Sequence, residues 1–458
     1  MRRLPGLVAA TASAILAACS GSGAEQSTPS SRAGCAAGVV LEFMAPSNFQ
    51  VGTGSWYAVD SDFNRDGRRD LAVINAGAVT GAGGLSVLMN ATAPRAESAQ
   101  FLDPVKFTTG ASPQALGLAD IDGDGLDDLL VGNWLGSGLS GLLPGILLPS
   151  NGALSVLLNR TPAGADEPRF LPKVDFRAGP GTGGVAAADF NRDGRIDIAT
   201  TNFNTPGRGG LSVLLNRTPR GTDTPAFSDT VFYDVGAAPI GLQAKDINGD
   251  GKPDLVVGNS LGFTVSVLIN RTADGATEPD FAAPLDFAVG SFGNGPETLD
   301  LEDINGDGRL DVVSPHFFTP GPGVISILVN TTPPRAATPS FAAQVVVHAG
   351  IAPEQVILED MDGDGRRDIV VANFGEVSTG RAVVPGLPGV SVLLNRTAPG
   401  SDQIEFAPRQ DHAAGSGPAG IVASDLNGDG RPDLAVANML AIGGGLSVLM
   451  NQGCGQTP

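Results

Sequence analysis

The sequence predicts an all-β repeat protein of seven units, each built from four short strands. Three observations predict it. An acidic pattern, Asp-x-Asn/Asp-x-Asp-Gly-x-x-Asp, begins at Asp62, Asp120, Asp189, Asp246, Asp303, Asp360 and Asp425. These starts lie 58, 69, 57, 57, 57 and 65 residues apart, a period of the size that marks propellers and solenoids. Short apolar runs separated by Gly, Pro and Asn fill the intervals, and no helical period appears outside the N-terminal leader.

The strands follow from the fifth unit, where Pro284–Val289, Glu297–Leu301, Leu310–Val313 and Val324–Val329 are short and rich in Val, Ile and Leu. The 64 glycines and 34 prolines fall between such runs at a fixed period, so they punctuate turns rather than signal disorder. Two further landmarks recur. One is Ser-Val/Ile-Leu-x-Asn, ending at Asn90, Asn159, Asn216, Asn270, Asn330, Asn395 and Asn451. The other is aromatic-x-x-Gly-x-x-Pro, as in Phe107 to Pro113, with weaker copies from Tyr233 to Pro239 and from His348 to Pro353.

Several carboxylates within nine residues repel one another unless a hard cation sits among them, and the glycine at the sixth place permits the sharp turn that brings their oxygens together. Places one, three, five and nine offer side-chain oxygens, and place seven offers its carbonyl. The first loop thus presents Asp62, Asn64, Asp66, Arg68 and Asp70, and the second Asp120, Asp122, Asp124, Leu126 and Asp128. The third has Asp189, Asn191, Asp193, Arg195 and Asp197, and the fourth Asp246, Asn248, Asp250, Lys252 and Asp254. The fifth has Asp303, Asn305, Asp307, Arg309 and Asp311. The last two present Asp360, Asp362, Asp364, Arg366 and Asp368, then Asp425, Asn427, Asp429, Arg431 and Asp433. All-oxygen donors in a flexible loop suit Ca²⁺ better than Mg²⁺, and the lack of thiol or imidazole argues against zinc and copper. These are not EF-hands, because place twelve is Val73, Val131, Thr200, Val257, Ser314, Val371 or Val436 rather than Glu, and the exits are β-type runs.

The aromatic and Gly-x-x-Pro segments followed by the acidic nonapeptide resemble the FG-GAP (VCBS-type) repeats of integrin α-subunit propellers and of bacterial surface proteins, over roughly residues 39–452. The resemblance implies a seven-bladed β-propeller with a calcium loop in the first hairpin of each blade and up to seven structural Ca²⁺. The FG-GAP half is imperfect in units one and three, around Gly52 and Gly179. On this assignment Leu446–Asn451 is the third strand of blade seven, and its fourth strand is supplied by Val39–Phe43, closing the ring and removing exposed edges. Cys35 and Cys454 lie at the two cut ends, which predicts a disulfide stapling the closure.

Residues 1–18 read as a secretory signal: a basic start, then a short apolar run. Leu16-Ala-Ala-Cys19 resembles the bacterial lipobox, which implies lipidation of Cys19, and Ser20 beside it favours the outer membrane over the inner. Residues 19–34 form a Ser/Gly/Pro-rich tether, and residues 35–458 one propeller domain. The formal charge is −20, but 23 of the 48 acids are loop ligands, and seven Ca²⁺ would leave about −6. No basic stripe with aromatics points to nucleic acid.

The family geometry puts a second set of loops on the face opposite the acidic ones. That face carries the length variation and the unusual side chains, including Trp56, Tyr57, Trp134, Phe203, Arg208, His316, Phe317, Phe318 and Phe374. Trp56, Tyr57, Trp134, His316 and Phe317 are the candidate ligand-binding residues, suited to stacking on a glycan or anchoring a protein. The sequence favours a non-catalytic, calcium-stabilised binding or adhesion module, monomeric and anchored to a bacterial envelope. The alternatives are a carbohydrate-active lyase or hydrolase on the same ring, or a structural subunit of an envelope complex. Against catalysis, only three histidines are present and no paired acids stand apart from the metal loops.

Overall fold

The computed structural model describes residues 35, 40–77, 82–134, 142–143, 146–147, 152–203, 209–289, 295–317, 322–375, 388–441 and 445–455. Among them there is no helix, and seven four-stranded antiparallel sheets form the blades. Their first strands are Ser55–Ser61, Pro113–Ala119, Thr182–Ala188, Pro239–Lys245, Asp300–Glu302, Pro353–Glu359 and Pro418–Ser424. Each packs against the next, and the last returns to the first, so these strands surround the axis of a closed seven-bladed propeller. Every acidic loop joins the first strand of a blade to the second.

Burial explains the run-like strand sequences. Second strands such as Asp128–Asn133 and Asp254–Asn259 are buried along their whole length, whereas outer strands such as Val174–Arg177 alternate. Seven apolar clusters fill the seven seams between neighbouring blades; Leu129 and Val131 of blade two, for example, pack with Leu85 and Val87 of blade one. Truncating a fully buried leucine in such a seam costs about 2–5 kcal/mol.

The recurring asparagines lock these seams. Asn159 donates its amide to the carbonyl of Phe63 in the preceding blade's acidic loop, at 3.1 Å. Asn216, Asn270, Asn330, Asn395, Asn451 and Asn90 do the same to Ile121, Phe190, Ile247, Ile304, Met361 and Leu426. The seven bonds form a closed circuit. A second asparagine ends most second strands and meets the landmark serine, as Asn133 meets Ser155 at 2.9 Å. The landmark glycine leaves room for it: a Cβ on Gly110 would come within 2.5 Å of the Asn133 side chain.

Two strand expectations are corrected. The fourth strand of blade seven is Ser47–Phe49, paired with Gly445–Leu449, and not Val39–Phe43. Leu41–Phe43 instead pairs with Asn451–Cys454, placing Phe43 opposite Asn451. In other blades the same asparagine bridges a phenylalanine of the connection, as Asn90 bridges Phe101. Phe43 fills that place, and Phe49, six residues on, fills the place of Phe107, which also lies six residues after its bridge phenylalanine. Phe49 and Phe101 meet edge-on across the closing seam with centroids 5.2 Å apart.

In blade five the first strand begins at Asp300 rather than Glu297. Pro315, opposite, accepts the Glu297 N–H at 3.4 Å but has no N–H to return, so the ladder stops short.

Candidate binding site and acidic loops

In each acidic loop the first aspartate caps the turn. Asp62 accepts the N–H groups of Asp66 and Gly67 at 2.9 and 2.8 Å, and Asp246 accepts those of Asp250 and Gly251 at 3.1 and 2.6 Å. The ninth aspartate is wholly buried and ties the loop to the third strand. Asp70 accepts from Phe63 N–H at 3.0 Å and from Asn90 N–H at 2.8 Å, and the pattern repeats at Asp128, Asp197, Asp254, Asp311, Asp368 and Asp433. The place-seven arginines fold back on place five, Arg68 to Asp66 at 2.5 Å and Arg431 to Asp429 at 2.6 Å.

Burial raises the ninth carboxyl from its ordinary value to about 7 for Asp70, Asp197, Asp254, Asp311 and Asp433, and to about 8 for Asp128 and Asp368. Neighbouring carboxylates push the same way, and the two backbone N–H donors push against it. Such a site gains from a nearby cation.

Place three divides the loops in two. Where it is asparagine, its amide donates to the connection of the next blade, as Asn64 does to Ala165 O at 2.9 Å. Where it is aspartate, an arginine supplies the missing donor. Arg160 holds Asp122 and Asp124 and reaches Thr222 O, while Arg396 holds Asp362 and Asp364 and donates to Cys35 O at 2.7 Å. The donor set fits a hard cation best in these two loops. One oxygen from each of Asp120, Asp122 and Asp124, and from each of Asp360, Asp362 and Asp368, lies within 4.8 Å of the others. Asp362 Oδ1 is buried with no hydrogen-bond partner.

A disulfide joins Cys35 to Cys454. Cys35 N–H donates to Asp362 Oδ2 at 2.8 Å, so the stapled end covers the sixth loop where a connection covers the others. Cys19, the leader 1–18 and the tether up to residue 34 lie outside the described residues, as do Arg208 and Phe318.

At the other end of the axis, Trp56, Tyr57 and Trp134 line one cavity of about 230 Å³ with Phe203, Glu297 and Glu354. Trp56 and Tyr57 open the first strand of blade one, and Trp134 directly follows the second strand of blade two, so all three lie away from the acidic loops. Trp134 packs on Phe203 with centroids 4.6 Å apart. A second cavity of about 140 Å³ shares Tyr57, Gly183, Ile240 and Glu297 with the first and continues along the inner strands.

The two glutamates were not among the candidate residues, and the expectation that no paired acids stand apart from the metal loops is corrected. Glu297 is 8% exposed and Glu354 6%. Ser260 donates to Glu297 Oε1 at 3.0 Å, and among the described residues no donor reaches the Glu354 carboxylate. Burial raises the Glu297 carboxyl to about 7; burial and then the charge of Glu297 raise that of Glu354. Tyr57 is raised by burial and by both glutamates. The signal in the sequence was positional: Glu297 and Glu354 each follow a proline, Pro296 and Pro353, as Gln114 follows Pro113 and Ile240 follows Pro239. Superposing the units on that proline puts these residues in one ring around the axis.

The remaining candidates separate. Phe317 packs against Phe374, centroids 5.6 Å apart, and is not among the residues that line the cavity. His316 is 1% exposed, takes the place of the second-strand asparagine in blade five, and meets Ser326 Oγ at 2.6 Å, so it belongs to the framework. His412 holds the aromatic place of its repeat, edge-on to Phe43 at 4.8 Å. His348 does not: Val347 packs inward there and His348 is exposed.

No curated protein matches the chain. Among solved structures, a protein from Bacteroides uniformis provisionally named as a 6-phosphogluconolactonase is similar at 16% identity and a TM-score of 0.47, covering 79% of this chain and 86% of that one. The FG-GAP-like repeat family matches residues 62–131, 246–314 and 360–436, each span starting on an acidic loop. With that repeat in three regions and the ring of seven blades that carries it, the chain is an FG-GAP-repeat β-propeller protein.

Proposed function

We propose that this propeller is a non-catalytic, calcium-stabilised binding module on a bacterial envelope, which meets a glycan or protein ligand with the face opposite its acidic loops. One observation carries the reading: Trp56, Tyr57 and Trp134, from two blades, line a single cavity at the axis of that face. The loop carboxylates would hold up to seven Ca²⁺, with Asp120, Asp122 and Asp124 and with Asp360, Asp362 and Asp368 as the strongest sets. A bound ion supplies charge neutralisation and stabilises the native turn. The lipobox-like Leu16–Cys19 supports a lipid anchor, in the outer membrane by the residue that follows it, with the propeller acting as a monomer. A glycan and envelope-protein binding screen tests the reading. Trp56→Ala and Trp134→Ala should abolish the hits, and hits that survive both substitutions would move the site elsewhere.

A second reading, a carbohydrate-active hydrolase or lyase, is favoured by the Glu297–Glu354 pair. Two buried carboxyls with raised pKa values can divide acid and base roles. A panel of polysaccharides incubated with the protein and with Glu297→Gln and Glu354→Gln decides between them. Cleavage that either variant loses establishes the enzyme, and an inert parent protein leaves the binding module.

A further inference from the structure

We propose that the axial cavity is a receptor for an organic cation, in which Glu297 and Glu354 pair with an ammonium or guanidinium group stacked among Trp56, Tyr57, Trp134 and Phe203. The inference deepens the binding reading above and rests on its choice of face.

The balance of polar groups selects this ligand class. Two carboxylates, both more than nine-tenths buried, line the cavity, and among the described residues no Lys, Arg or His does. Glu297 has Ser260 as a donor, while Glu354 has none among the described residues. Buried carboxylates without partners are costly, and a charge-assisted donor is the remedy that best matches their lone pairs. A sugar hydroxyl needs acceptors and donors alike. Among the described residues the wall offers the four carboxylate oxygens as acceptors but few side-chain donors, chiefly the Gln114 amide, the Tyr57 hydroxyl and a Ser260 hydroxyl already given to Glu297. The aromatic walls add the π faces that attract ammonium and guanidinium groups. A volume of about 230 Å³ suits a head group with a short alkyl stem, such as the end of a lysine or arginine side chain.

The placement is specific to two blades. At the ring position after the landmark proline, blades two, four and seven carry Gln114, Ile240 and Ala419, and only the neighbouring blades five and six carry acids. Asp300 and Glu302, further along the inner strand, are satisfied by Lys245 and do not compete. The raised carboxyls agree with this geometry, because a bound cation would displace the protons the pair retains.

The protein has two tryptophans, and both line the cavity, so intrinsic fluorescence reports on this site. The full chain in calcium is titrated with n-butylguanidinium, n-butylammonium and the neutral isostere n-butylurea. The two cations should give saturable single-site changes, and butylurea should bind at least about tenfold more weakly. Glu354→Gln and Glu297→Gln should each weaken cation binding about tenfold or more. Should either variant misfold, Gln114→Lys places a competing ammonium in the cavity and should abolish cation binding with both glutamates intact. Equal binding of butylguanidinium and butylurea, absence of any titration, or unchanged cation affinity in the variants would overturn the proposal. The two ideas fail separately. Tryptophan-dependent capture of a glycan or protein without cation binding removes the cation receptor alone. Cation binding with envelope hits indifferent to Trp56 and Trp134 removes the envelope-ligand reading alone.

Discussion

Arg160 Nη2 lies 2.5 Å from Asp122 Oδ2, and the same nitrogen donates to Thr222 O in the next blade at 3.1 Å. Asn64, at the corresponding place in blade one, spans the equivalent gap with its own amide. Changing Asn to Asp at place three removes a donor and adds a negative charge, and the arginine supplies the donor and balances the charge. Arg160→Ala should therefore destabilise the fold by about 1–3 kcal/mol in chelator, because Asp122 is left buried without its counter-charge, keeping only the Asp124 N–H as a donor. The double variant Asp122→Asn with Arg160→Ala should recover most of the loss. Urea unfolding of the four proteins of the cycle measures it, and a double variant no better than Arg160→Ala would exclude donor replacement.

The acidic loops predict a strong calcium dependence of stability. An ion that binds only the folded loops adds stability at each occupied site by mass action. The melting temperature should fall markedly in excess EGTA and return when Ca²⁺ is restored. Asp362→Asn should blunt the response more than the same change at a place-nine aspartate whose oxygens already accept two N–H groups, because Asp362 Oδ1 is the unpartnered oxygen. Calorimetry with and without EGTA checks both, and a melting curve indifferent to EGTA would falsify structural calcium.

The propeller was legible because its period is carried by residues with fixed duties. Gly110 must lack a side chain to admit Asn133, and Asn159 must reach Phe63, so both recur with the blade. The closing strand was misplaced because Phe43 and Phe49 are both aromatics beside short apolar runs, and only their six-residue spacing reveals which fills which place. The cavity was half legible. Trp56 and Trp134 stand out by type, but Glu297 and Glu354 are ordinary residues until seven strands are wrapped around one axis. His316 misled because its chemistry is conspicuous while its position, in register with Asn133 and Asn373, is that of a framework amide.

The Cys35–Cys454 link closes a loop spanning 419 positions and holds down a fourth strand of only three residues. Reduction, or Cys35→Ser, should cost roughly 2–4 kcal/mol. It should also open the segment around Leu41–Phe49 to proteolysis before the other blades unfold, because that segment completes blade seven across the chain ends. Limited proteolysis with and without reductant reads this directly. An unchanged cleavage pattern would mean that the Phe49–Phe101 contact and the strand pairing close the ring unaided.

Glu297 gives the fold a pH dependence of defined sign. Burial raises its carboxyl from the ordinary value of 4.5 to about 7, so between these limits the folded chain holds a proton the unfolded chain has released. Its contribution is full below about pH 4.5 and is lost as pH rises through about 7, and because the charge of Glu297 also raises Glu354, the change belongs to the pair. Glu297→Gln stays neutral throughout. The stability of the variant relative to the parent should therefore be near zero at pH 5 and should rise in the variant's favour toward pH 8. Because both proteins share the seven buried loop aspartates, measuring the difference at fixed calcium cancels their titration. Urea midpoints across that range supply the measurement. Parallel curves would show that Glu297 ionises in the folded protein as it does in water, and that the cavity does not impose the desolvation its burial implies.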